Sequence, residues 1–151
     1  MGKKYIRDKY QMFIDGKWVD SVTRKKIDIF NPSNGQYMTT IPDASAEDVN
    51  TAVIAANKAF DTWKRISAVE RAAVLNRIAD IIDENLEELA MVETLDNGKA
   101  VRECRSMDIP LASDHFRYFA GVIRADETSA AMLDDDTMSI TLREPLGVVG
   151  Q

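Results

Sequence analysis

The sequence predicts an α/β chain, with short strands at the front, a helical layer in the middle and a strand near the end. Three observations carry that reading. As far as residue 42, short apolar runs and alternations are punctuated by turn residues, the pattern of small β units. From residue 45 the apolar spacing changes to three and four, behind two sequences that cap helices. At 137–144 strict alternation returns.

The elements follow in order. Met12-Phe13-Ile14 and Lys17-Trp18-Val19 flank Asp15-Gly16, a pair that tolerates the positive φ angles of a two-residue turn, which predicts a β-hairpin. Ile27 and Ile29 then alternate with charged neighbours. Asn31-Pro32-Ser33-Asn34-Gly35 supplies turn chemistry before a strand near Tyr37 to Ile41. Ser45 with Asp48, and Ser67 with Glu70, fit the reciprocal cap that satisfies the free amides opening a helix. The first of these helices carries an apolar stripe of Val49, Ala52, Val53, Ala56, Phe60 and Trp63, with Lys64 and Arg65 closing it favourably for the helix dipole. The second carries Val74, Leu75, Ile78, Ile81 and Ile82. Asn85 and Glu88 are expected to cap a third helix, with Gly98 ending it in a left-handed conformation.

A further helix is expected from about Ala100 to Ile123, with Val101, Cys104, Asp108, Leu111, His115 and Phe119 along one side. Pro110 should kink or break it near 106–110, because proline removes an amide and costs about 3 kcal/mol inside a helix. Asp134-Asp135-Asp136 marks a loop. Beyond it Met138, Ile140 and Leu142 share one face of a strand, and the β-branched run after Pro145 reads as the start of a buried strand. With nothing following to pair it, that run leads us to expect the front portion of a larger enzyme.

Composition excludes several classes. The 151 residues, 45% of them hydrophobic, suffice for one compact domain burying roughly 70% of its unfolded surface. A net charge of −6 argues against nucleic acid, which demands a clustered positive surface. Arg24-Lys25-Lys26 and Lys3-Lys4 are too short to make one and read as solvated strand edge or tail. One cysteine excludes an internal disulfide and multi-cysteine metal sites, and fits a reducing cytoplasm. No run is long and apolar enough for a membrane span, and the front lacks the layout of a secretory signal. Met1-Gly2 opens like a myristoylation sequence, but Ile6 stands where Ser or Thr is wanted.

Few residues invite a chemical role. Neither phosphate-binding glycine pattern occurs, so Gly147 and Gly150 read as turn and close-approach residues. Cys104 falls on the apolar side beside Val101 and Met107, where a thiol behaves as a small hydrophobe. The solitary His115 reads as structural. Asp83-Glu84 and Glu87-Glu88 read as a solvated face. Asp96, at a helix end where carbonyls go unpaired, could either stabilise the turn or join those carbonyls around Na⁺ or K⁺.

Five segments taken together are specific. Phe13-Ile14-Asp15-Gly16-Lys17-Trp18, Asn31-Pro32-Ser33-Asn34-Gly35, Glu93-Thr94-Leu95-Asp96-Asn97-Gly98-Lys99, Arg117-Tyr118-Phe119-Ala120-Gly121 and Arg143-Glu144-Pro145-Leu146-Gly147-Val148-Val149-Gly150-Gln151 resemble, in order and spacing, the N-terminal third of an NAD(P)-dependent aldehyde dehydrogenase. Residues 108–125 look most similar to the bacterial acetaldehyde dehydrogenase branch.

The resemblance implies a parent enzyme with a Rossmann-like cofactor domain, a catalytic domain and an oligomerisation arm, assembled as dimers or tetramers and oxidising short aliphatic aldehydes with NAD or NADP. On that basis 1–136 form the front of the cofactor-binding domain, 137–144 the arm strand and 145–151 the start of a Rossmann-like strand. The apolar face of the arm should be covered by another strand or subunit. The family's reaction uses a cysteine thiolate, an oxyanion-holding asparagine and a water-activating glutamate. None of these is expected within residues 1–151, so the catalytic and cofactor-binding sets are empty, no cofactor should bind this piece, and it should be inactive alone. Two sets do carry over: the backbone of Ile29 and Phe30 with the carboxylate of Asp96 as a monovalent-cation site, and Met107 and Leu111 as lining of the substrate tunnel. For the latter pair, plain core packing is the competing role. The competing functions are a non-catalytic interaction module derived from the family and, weakly, an independent metal-dependent enzyme.

Overall fold

A computed structural model describes residues 5–151, so Lys3-Lys4 and the Met1-Gly2 opening lie outside the described residues. Asp15 and Gly16 adopt φ values of 51° and 75°, both left-handed, and close the hairpin of β1 (Met12–Ile14) and β2 (Lys17–Val19) with Phe13 opposite Trp18. Strands β3 (Lys26–Phe30) and β4 (Tyr37–Pro42) form a second antiparallel pair. Their connection is built on Asn31, whose side chain accepts from the Ser33 amide at 2.8 Å and whose carbonyl accepts from the Gly35 amide at 2.7 Å.

Both expected capping boxes are present. Ser45 opens α1 (Ala46–Trp63) and Ser67 opens α2 (Ala68–Glu84), each trading bonds with the acid three residues on. Asp48 does more than cap. Its buried carboxylate accepts from the Ser45 amide (2.8 Å), Ser21 Oγ (2.7 Å) and the Val22 amide (3.1 Å), tying α1 to the segment after β2. Those bonds, the Ser45 amide first and Ser21 next, hold its pKa down at about 2.

Helix α3 (Leu86–Asn97) ends as expected, with Gly98 at φ 82° donating its amide to Thr94. Its start is different. Asn85 makes no side-chain cap there; its amide group instead donates 2.8 Å back to the Ile81 carbonyl, satisfying the end of α2.

The proline does not break the next helix. After a short α4 (Val101–Glu103), residues Cys104–Asp108 form a π turn, and α5 (Ile109–Ala125) continues with Pro110 in its first turn. Pro110 has no amide to offer the Ser106 carbonyl. The Ile109 amide reaches back to Cys104 instead, a five-residue span that inserts one residue into the helix.

That insertion rotates everything after it and corrects the expected apolar side. Cys104 is buried, but Met107, Leu111, His115 and Phe119 are exposed, and α5 turns Ser113 and Ala120 inward instead. Helices α2 and α5 make the main packed contact of the molecule. Asp83 is not simply solvated either. It pairs with Arg117 at 2.7 Å, and Ser113, then Arg117, lower its pKa.

At the end of the sequence, β5 (Ala130–Met132) and β6 (Met138–Ile140) pair antiparallel, a hairpin that alternation alone did not indicate. The expected strand at 137–144 is thus shorter, Met138–Ile140, and 145–151 carry no strand.

The fully buried hydrophobic residues among those described are small: Ala72, Ala79, Ala90, Ala120 and Cys104. The accessible surface is 11714 Å². A compact monomer of 16.9 kDa would expose roughly 7,700 Å² by the usual scaling with mass. The exposed area is well above that, and broad apolar faces stand open.

Candidate functional site

Two places gather the residues singled out above. The first is the end of α3. A Cβ added at Gly98 would lie 3.0 Å from Cγ of Pro32 and 3.3 Å from Oγ of Ser33, so the turn after Asp96 presses directly on the turn that follows β3. Only glycine permits both that approach and the left-handed φ. Beside it, the β3–β4 ladder is irregular: Ile29 pairs with Thr39 but Phe30 with Tyr37, leaving Met38 without a partner. Asp96, exposed near the end of α3, and Ile29 and Phe30, at the end of β3, each lie just before one of these two touching turns, and carboxylate and carbonyl oxygens are the donors a hard cation takes. Among the described residues there is no cluster of three or more His, Cys, Asp or Glu side chains fit for a metal.

The second place is the π turn. Met107 is 59% exposed and Leu111 51%, so neither is enclosed within this chain. The turn is held at its far end by an ion pair that sequence reading missed. Lys99 Nζ lies 2.7 Å from Asp108, with a directed hydrogen bond to Oδ1 and charge contact alone to the water-excluded Oδ2. That bond to Asp108 raises the Lys99 pKa. A spacing of nine residues across two helix ends has no periodic signature, which is why the pair was not legible beforehand. A second tie joins Arg105, within the turn, to Glu87 on α3 at 2.7 Å, so Glu87 too is more than a solvated acid.

Cys104, the first residue of this turn, is fully buried, and Thr94 Oγ1 donates to its sulfur at 3.5 Å. A thiol shielded in this way packs rather than attacks. His115 lies exposed on α5. Two surface clefts lie elsewhere. One of about 330 Å³ separates the β1–β2 turn from Ala52, Ala55, Ala56 and Ala59 of α1. One of about 280 Å³ lies among Lys9, Asp20, Arg24 and Lys26. Among the described residues no helix is long and apolar enough to cross a membrane.

This succession of hairpin, turn, capped helices and glycine-ended α3 can be set against known proteins. The model of the aldehyde dehydrogenase family matches residues 18–151. The chain belongs to that family. It is 50% identical over 146 residues to an acetaldehyde dehydrogenase of Pseudomonas aeruginosa, covering 97% of this chain and 29% of that protein. It is 49% identical over 149 residues to a long-chain-aldehyde dehydrogenase of an Acinetobacter species, covering 99% of this chain and 30% of that one. Among solved structures, an NAD-dependent aldehyde dehydrogenase from Sinorhizobium meliloti superposes with a TM-score of 0.88 at 40% identity, over 95% of this chain and 29% of its own length. The chain therefore has the fold of the N-terminal part of these dehydrogenases and spans about 30% of the length of the curated relatives it matches.

Proposed function

We propose that this chain is the leading part of an enzyme that oxidises short aliphatic aldehydes to carboxylic acids with NAD⁺ or NADP⁺, in the cytoplasm, as a dimer or tetramer, with no nucleic acid or membrane partner. The observation that carries this reading is the match to aldehyde dehydrogenases along nearly the whole chain, coupled with coverage of less than a third of each relative. The nicotinamide half of the reading rests on the Sinorhizobium meliloti relative, which is described as NAD-dependent. Within the chain, Met107 and Leu111 line the path of the aldehyde. The backbone of Ile29 and Phe30 and the carboxylate of Asp96 hold a monovalent cation, Na⁺ or K⁺. No catalytic or cofactor-binding residue is assigned to positions 1–151, so the chain alone is inactive. The test follows NAD(P)H formation from acetaldehyde at 340 nm, roughly the reduced nicotinamide absorbance band, comparing the 151-residue chain with the full-length protein. Turnover is expected from the full-length protein only; turnover by the purified short chain would refute the division of labour.

The exposed apolar faces of the β5–β6 hairpin favour a second reading, a non-catalytic association module derived from the family. Light scattering decides it. A monomer at every concentration removes that reading.

A further inference from the structure

We draw no further inference here: the strongest candidate, the cleft of about 280 Å³ among Lys9, Asp20, Arg24 and Lys26, carries nothing, because Lys9 is already paired with Asp20 and nothing in the structure shows what covers or fills it.

Discussion

Helices α2 and α5 and helix α1 are built from equally apolar sequences, yet they are held in opposite ways. Between α2 and α5, Ala72, Ala79 and Ala120 are almost wholly shielded, and Arg117 bridges Asp80 and Asp83 across the contact at 2.9 and 2.7 Å. Small side chains let the helix axes come close, so many weak contacts add up. Helix α1 instead leaves Val49, Val53, Ile54 and Trp63 between 39% and 59% exposed, with an open cleft between it and the first hairpin. What anchors it is polar: the Asp48 carboxylate gripping Ser21, Val22 and Ser45. An apolar stripe is thus a capacity for burial, and only a partner surface turns it into stability.

The sharpest way to break this contrast is to enlarge the tight contact and trim the open one. Ala79→Leu adds at a fully shielded site as many carbons as Ile54→Ala removes from an exposed one. Overpacking should cost Ala79→Leu about 1–3 kcal/mol, whereas Ile54→Ala should stay within about 0.5 kcal/mol, both read from urea unfolding. Equal costs would mean that the two regions are packed alike.

A middle-sized effect is expected at the polar anchor. Asp48 has a folded pKa of about 2, below its ordinary 3.8, so its stabilising effect is fully present above 3.8 and is lost as pH falls towards 2. Asp48→Asn should lower the melting temperature by several degrees at neutral pH and flatten the loss of stability across that acid window. Hydrogen exchange should show the change first in α1. A uniform acceleration across α2 and α5 would contradict the local role assigned to this carboxylate.

The smallest effect belongs to a third place, where the end of α3 meets the β3–β4 connection. Gly98→Ala forces a side chain into a left-handed φ and to within 3.0 Å of Pro32, which should cost about 1–2 kcal/mol and weaken Na⁺ or K⁺ binding at the adjoining turns. Calorimetric titration with the cation, beside a melting curve, separates the two effects. Unchanged affinity in a destabilised variant would detach the cation proposal from this turn.

Legibility in the sequence followed range. The Asp15-Gly16 turn, both serine caps and the left-handed Gly98 were each readable from a few neighbouring residues, and each is present. The inward face of α5 was not, because Pro110 could be seen to disturb the helix but not to choose a π insertion over a break. The Lys99–Asp108 and Glu87–Arg105 pairs escaped for the same kind of reason: they join residues whose proximity depends on how helix ends meet. Of the candidate site residues, Met107 and Leu111 were identified by resemblance, whereas their exposure depends on the insertion.

By itself the sequence determined where strands turn, where helices begin and where α3 must stop, since turn chemistry, capping and glycine's φ freedom act over three or four residues. It also determined, through five ordered segments, the family. Only the tertiary structure decided which side of each helix is inside. That choice depends on cumulative rotation along a helix and on which surfaces are present to cover it, and a single added residue at 104–108 is enough to turn Leu111 from the core to the path proposed for the substrate.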